Sequence, residues 1–408
     1  MAPDFIGLQE AKDLVARHTP LLPARPMPLA QLAGLVVGER IKARVSSPSV
    51  TASTKDGFAV IGAELANAST QSPVRLELAG SVAAGENADM VLGAGQAVRI
   101  TTGAPLPEGA DAVIAVEFTK EQDGCVICQA SADPGRNVMQ AGSDVAAGQV
   151  ICEPGLRLDP GAVGLLAAAG LAEAPAHPLP KVGLLATGRE VIAPGEPLPS
   201  GAVYASNLVA LASWLGLNGM ECGSKVVDDD TSQIKEGAAE LLSGCDALIT
   251  SGGAWTSGRD LVKAALADMG LELIFWRVRM GPGKGVAFGL LKGKPVFCLP
   301  GGPPSNEMAF LQLALPGLLA MSGRQDAALP LQPAYLASQL NGQADWTQFW
   351  HGNFEYGSEP HLPPVFHPYE FSGRLRAMAD SDAIASLPEG VHRLEPDSLI
   401  LVQRLAPC

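Results

Sequence analysis

Three cations stand within eight residues of one another in "FWRVRMGPGKGVAFG" (275–289): Arg277, Arg279 and Lys284, in a chain whose formal net charge is −14. Glycines beside cations let backbone N–H groups close on an oxyanion while the side chains add charge, so the stretch has the makings of an anion site. It is not a P-loop, which needs G-x-x-x-x-G-K-[ST]; here Lys284 is followed by Gly285. An ordinary turn carrying surface cations fits the same residues. A second group is acidic. Glu190, Asp229 and Asp260 could hold Mg²⁺ through oxygen ligands and neighbouring waters. Each alone also suits a helix cap or a first-turn acid, but caps do not call for the glycine-rich loops that accompany the set.

Both groups fall at the ends of predicted strands. Between 181 and 323, the apolar runs "KVGLLAT", "MECGSKVV", "DALITSGG", "LELIFWRVRM" and "KPVFCLPGG" alternate with helical stretches such as "SNLVALASWLGL", "SQIKEGAAELL", "DLVKAALADM" and "SNEMAFLQLAL". That alternation predicts an open parallel α/β sheet, in which ligands bind outside the carboxyl ends of the strands. Those ends carry "TGRE" (187–190), "DDD" (228–230), "SGGAWTSGRD" (251–260), "RMGPGK" (279–284) and "LPGGPPSN" (299–306). Upstream, "GLQEAKDLVARH" places Leu8, Ala11, Leu14 and Val15 on one helical face, and the apolar pattern of 28–43 predicts more helix. The short β-rich runs of 46–140, cut by Gly and Pro, predict a β domain. The expected organisation is a multidomain α/β plus β chain. It comprises a helical domain from 1–45 and 141–180, an inserted β domain at 46–140, the α/β domain at 181–323, and a small C-terminal β domain at 325–408.

Composition narrows the function. Of 408 residues, 47% are hydrophobic and 17% charged, which suits a folded rather than a disordered chain. No apolar run reaches the eighteen or so residues of a membrane span, and the acidic start "MAPDFIGLQEAKDL" has no export signal, so a cytoplasmic location without membrane attachment is expected. The acidic balance argues against nucleic acid as a partner. Seven cysteines, an odd number, do not form a disulfide framework. Cys125 and Cys128 make a C-x-x-C with no second pair and read as structural thiols. The first strand of the α/β domain lacks a following G-x-G-x-x-G, which excludes a Rossmann dehydrogenase.

Seven stretches then act together: "STKDGFAV" (53–60), "RITTGAPLPEGADAVIAVE" (99–117), "AGSDVAAGQVI" (141–151), "TGREV", "SGGAWTSGRDLV", "GPGKGVAFG" and "LPGGPPSNEMAF". In order and spacing they resemble the signature set of the MoeA-type molybdopterin molybdenumtransferases, the family related to the E domain of gephyrin and its plant counterpart. The resemblance implies an elongated helical domain, an inserted β domain, a molybdopterin-binding α/β domain and a C-terminal β domain, assembled as a homodimer. It implies as substrates molybdate and adenylylated molybdopterin, a small anionic pterin, with Mg²⁺-dependent release of AMP. Other proteins of molybdenum cofactor biosynthesis are further implied partners. Carried over residue by residue, catalytic roles fall on Asp56, Thr102, Asp144, Glu190, Asp229 and Asp260, the last three as metal ligands. Substrate-binding roles fall on Ser251, Gly252, Gly253, Arg277, Lys284, Pro300, Pro303, His351 and Ser372.

The chain departs from the family at the same places. The family's K-P-G-K-P reads "GPGKG", so Gly281 and Gly285 replace a lysine and a proline, while T-G-D-E reads "TGRE" and L-P-G-N-P reads "LPGGP". Arg277 stands where a functional lysine is expected and can still bind phosphate bidentately. His351 stands where an arginine associated with molybdate is expected, and a neutral imidazole holds an oxyanion less firmly than guanidinium. Two readings follow: an active molybdenum-inserting transferase, and a diverged, non-catalytic paralogue that binds molybdopterin or a partner protein.

Overall fold

The computed structural model describes residues 5–252, 261–325, 329–359, 361–370 and 375–405. The chain divides into two compact units, one of residues 24–176 and the other of residues 1–23 with 177–408.

In the unit 24–176, the Gly- and Pro-punctuated runs form a six-stranded sheet ordered Ala112–Ala115, Gly57–Val60, Gln96–Ile100, Val74–Val82, Cys125–Cys128, Thr119–Gln122. Period-two alternation feeds two cores. Phe58 and Val60 pack with Leu65, Leu76 and Ile114 on one side, and Ala59 packs with Val82, Val98 and Ile100 on the other. Cys125 is half-buried and Cys128 fully buried. As residues i and i+3 of one strand they face opposite ways, which removes the C-x-x-C as a metal pair.

The expectation of helix over 28–43 needs correction. The segment forms a 3₁₀ turn at Leu29–Gln31 and the short strands Val36–Val37 and Ile41–Lys42. Gly34, at φ +86°, interrupts the helical phase, and the Val37 N–H donates instead to the Leu156 carbonyl at 2.9 Å. The α-helix found in this unit is Pro160–Ala168, begun by Pro160 and capped by Asp159, whose carboxylate accepts from the Ala162 N–H at 2.7 Å.

In the other unit, the α/β region builds a sheet ordered Cys222–Val227, Val182–Thr187, Ala247–Ser251, Lys294–Leu299, Ala287–Leu291, Glu272–Trp276. The first four strands are parallel, whereas Ala287–Leu291 pairs antiparallel with both of its neighbours. The sheet is therefore mixed, not all parallel. The Gly-rich run after Lys284 conceals a strand, because a hairpin back to Lys294–Leu299 needs only the turn at Lys292 and Gly293, both at positive φ. Two antiparallel steps restore direction, so Glu272–Trp276 ends at the same edge as the four parallel strands.

Helices cover both faces. Ser206–Leu217 and the run from Pro303 to Ala320, through a π-helical segment at Phe310–Ala314, contribute Leu208, Leu211, Phe310 and Leu318 to one core. Thr231–Gly244 and Leu261–Asp268 contribute Ile234, Leu241, Val262 and Leu266 to the other. The N-terminal helix Leu8–His18 also belongs here: its Ala11 and Val15 join the first core. Gly317 lets it come close, since a Cβ at that position would lie 2.8 Å from both Val15 Cγ1 and Phe297 Cζ. Toward the C-terminus, the strands Thr347–Glu355, Val365–Pro368, Leu331–Leu336, Leu399–Arg404 and Ala383–Leu387 pair in that order, and the last pairs back to the first, closing a five-stranded barrel. Among the described residues, no helix is long and apolar enough to cross a membrane.

Candidate active site

At the carboxyl edge of the α/β sheet lies a cavity of about 500 Å³. Thr187 and Gly188 end one strand on its wall, Ser251 and Gly252 end the next, and Gly301 and Pro303 follow a third. Two of these glycines are required by the backbone. Gly252 has φ +104°, and a Cβ there would lie 2.5 Å from the Thr187 carbonyl oxygen. Gly188 has φ +151°, and a Cβ there would press on the Glu190 carboxylate at 3.1 Å.

Ser251 is buried, and its hydroxyl is oriented from two directions. Asn207 Nδ2 donates to Ser251 Oγ at 3.1 Å and to the Gly301 carbonyl at 2.8 Å. Asn306 Nδ2 donates to the same Oγ at 3.0 Å and to the Pro300 carbonyl at 2.9 Å. With both lone pairs of the hydroxyl engaged, its proton is left to donate to an acceptor in the cavity. Beside it, Thr187 Oγ1 is buried with no hydrogen-bond partner among the described residues.

Glu190 and Asp229 line the same cavity, and neither carboxylate has a hydrogen bond or ion pair among the described residues. Capping falls to their neighbour: Asp230 accepts from the Ser232 and Gln233 N–H groups, each at 3.0 Å, at the start of Thr231–Gly244. Two partnerless hard oxygen donors, beside a glycine that leaves one of them room, suit a divalent cation such as Mg²⁺. No cluster of three metal-ligating side chains forms among the described residues. Asp260 lies outside them, as do Gly253 and Ser372.

The remaining sequence-based candidates fall elsewhere. Arg277 and Lys284 do not line the cavity; they lie on the two arms of a turn, with Arg277 N donating to Val286 O at 2.9 Å and Val278 N to Lys284 O at 3.1 Å. Arg277 is held at φ +67°, its guanidinium 4.1 Å from the Trp276 ring centroid and 5.6 Å from that of Phe5. Stacking occupies the plane of the cation and leaves its edge N–H groups for an anion. Lys284 is exposed and has no ion pair among the described residues. Arg279 is committed to structure: Nη1 donates to Phe5 O at 3.0 Å and Nη2 reaches Glu389 at 3.4 Å.

His351 is fully buried in Thr347–Glu355, its Nε2 2.9 Å from Glu307 Oε2, while Trp214 Nε1 donates to Glu307 Oε1 at 3.2 Å. The position expected to meet molybdate is thus an imidazole facing an internal carboxylate, off the cavity wall. In the unit 24–176, Asp56 and Thr102 meet because Gly57 pairs with Ile100 across their strands. Asp56 Oδ1 accepts from the Thr102 N–H at 2.7 Å and from its hydroxyl at 3.0 Å. The backbone bond first, and the hydroxyl bond second, hold the Asp56 carboxyl below its usual range. Asp144 is exposed, its N–H on Ser47 O at 3.0 Å.

Sequence reasoning missed Asn207 and Asn306. The available signal was an amide in the first turn of an otherwise apolar helix after a strand end, in "ASNLVAL" and "PPSNEMAF".

Comparison with known proteins places this geometry. Residues 6–170 match the family profile described as the MoeA N-terminal region (domain I and II), and residues 183–320 match a probable molybdopterin binding domain. The chain is 32% identical over 400 residues to molybdopterin molybdenumtransferase 2 of Mycobacterium tuberculosis, covering 94% of this chain and 96% of that protein. It is 34% identical over 308 residues to the molybdopterin molybdenumtransferase of Haemophilus influenzae, covering 74% of each. The crystal structure of the molybdopterin biosynthesis MoeA protein from Pyrococcus horikosii superposes with a TM-score of 0.82 at 31% identity, covering 99% of this chain and all of that one.

Proposed function

Because the chain belongs to the MoeA-type molybdopterin molybdenumtransferases, a family of transferases, we propose that it transfers molybdenum from molybdate to adenylylated molybdopterin with release of AMP. The observation that carries the reading is the cavity at the sheet's carboxyl edge, lined by a buried hydroxyl that accepts from two amides and by two carboxylates without a partner among the described residues. In this reading Ser251 donates to a pterin or phosphate acceptor. The bare Gly188 and Gly252 let the ligand approach the backbone. Glu190 and Asp229, with Asp260, would hold Mg²⁺, which supplies charge neutralisation and polarisation at the adenylyl phosphate. Arg277 and Lys284 supply edge donors and charge to an anionic group. Asp56, Thr102 and Asp144, in the unit 24–176, are proposed as further catalytic residues, and a homodimer is the proposed assembly.

The test is a single-turnover assay of AMP release from adenylylated molybdopterin with and without molybdate. Molybdate-dependent release in the wild type, lost in Asp229→Asn, is the expected result. Release that stays near the wild-type level in Asp229→Asn would remove the metal assignment. Light scattering at about the 42.0 kDa mass of one chain would remove the dimer.

A second reading is favoured by one observation, the buried Glu307 carboxylate 2.9 Å from the imidazole that stands in place of an arginine. A carboxylate there opposes an incoming oxyanion. Pterin binding without molybdate-dependent AMP release would establish the diverged, non-catalytic binder.

A further inference from the structure

A second cavity, of about 510 Å³, adjoins the N-terminal helix and shares no lining residue with the first. Its charged side chains are Glu10, Lys12, Arg279 and Glu389. Arg279 is answered by Glu389 at 3.4 Å, and the other oxygen of Glu389 accepts from the Leu8 N–H at 3.2 Å. Glu10 is exposed. Lys12 is the cation left over. Half-buried, its ammonium has one hydrogen bond among the described residues, 3.4 Å to Gln312 Oε1, at the weak end of the range. That oxygen is already shared. Gln312, 1% exposed, forms a reciprocal amide pair with Gln403, donating at 2.6 Å and accepting at 3.3 Å. No carboxylate pairs with Lys12 among the described residues, and burial lowers its pKa from the usual lysine value.

We propose that this cavity binds a small monocarboxylate, whose oxygens accept from Lys12 Nζ while its aliphatic body lies against Leu8, Phe349 and Pro388. The charge count selects the ligand. Lys12, without an ion pair among the described residues, can take one carboxylate as its partner, whereas a dianion such as phosphate would add a second negative charge to a lining whose two acids, Glu10 and Glu389, already match its two cations. A partly desolvated ammonium gains a charge-assisted bond in place of a poor amide contact. The pocket is independent of the proposed transfer chemistry, so loss of either activity leaves the other testable.

The experiment is saturation-transfer NMR on the full chain with butyrate as the probe and inorganic phosphate as the competitor. Expected are a saturable butyrate signal in the wild type, a dissociation constant raised by about tenfold or more in Lys12→Met, and retention of binding in Lys12→Arg. Phosphate should displace butyrate much less readily than acetate does. No saturable signal in the wild type, equal affinity in a folded Lys12→Met variant, or displacement by phosphate as effective as by acetate would each overturn the proposal. If Lys12→Met fails to fold, the wild-type competition and Lys12→Arg still decide it.

Discussion

Ser251 takes its orientation from two amides that arrive from separate helices, so its donor direction depends on neither loop alone. Asn207→Ala removes one of them and lets the hydroxyl rotate. Affinity for molybdopterin is expected to fall about fivefold, the effect of roughly 1 kcal/mol for one neutral hydrogen bond, with little change in thermal midpoint. Isothermal titration giving the wild-type affinity would show that this orientation does not matter. Asp56 is tuned by Thr102 in the same residue-to-residue way. Its folded pKa is depressed, so the stabilisation is fully present above the unfolded value of about 3.9 and is lost as pH falls through the lower folded value. Thr102→Val keeps the backbone bond and deletes the hydroxyl bond, so the Asp56 midpoint in a carboxyl-carbon NMR titration should rise part of the way toward its ordinary value. A midpoint that stays put would remove the hydroxyl from the account. At Cys128, burial pushes the thiol up to about 11, which makes it the inert structural thiol expected from its strand.

The strand ends decide whether these residues meet, and Gly252 is the most constrained of them. Gly252→Ala combines φ +104° with a Cβ 2.5 Å from Thr187 O, and a loss of about 1–3 kcal/mol is expected in urea unfolding. Gly301→Ala, whose Cβ would have its nearest neighbour at 3.7 Å, should cost much less, and equal losses would mean the clash is relieved by backbone movement. In the loop after Trp276, Lys284→Ala should weaken anion binding by about 1.5–3 kcal/mol for a lost charge-assisted bond. Arg279 is unsuitable as a bystander control, because its guanidinium ties Phe5 and Glu389 together. Lys292, an exposed cation in the hairpin turn at the other end of the strand Ala287–Leu291, serves instead. Equal losses at Lys284 and Lys292 would indicate a diffuse basic surface. Most of these elements are legible in the sequence because strands buried on both faces give continuous apolar runs, as in Val182–Thr187, where every residue is buried. The strand Ala287–Leu291 is not, since glycines on either side of it read as turn. The helix expected at 28–43 fails because its apolar spacing is broken by Gly34 and satisfied by partners more than a hundred residues away, such as Leu156. The amide clamp is invisible for the same reason: its two bonds to Ser251 span 44 and 55 residues, which no local pattern encodes.

At the scale of the whole molecule, the unit 24–176 is an insertion whose two ends leave the other unit at one place. The Leu22 N–H donates to Met321 O at 2.8 Å, and the Leu22 carbonyl lies 2.7 Å from His177 Nδ1. Exit and re-entry are therefore held side by side by residues that both belong to the larger unit. Each unit also has cores of its own: Phe58, Leu76 and Ile114 in the insertion, and Leu184, Phe297 and Phe310 in the host. Replacing 24–176 by a short Gly/Ser linker costs only the modest entropy of closing a small loop, so the host unit is expected to fold cooperatively and to keep the cavity of Ser251, Glu190 and Asp229. Molybdopterin binding should then survive within a fewfold of the full chain, because none of the cavity-lining residues comes from the insertion. Molybdate-dependent AMP release should vanish, because Asp56, Thr102 and Asp144 are removed with it. The two measurements separate binding from turnover. A folded deletion variant that still releases AMP would show that the insertion's acidic residues take no part in catalysis, whereas one that loses pterin binding would show that the cavity at the sheet edge is not where the pterin is held.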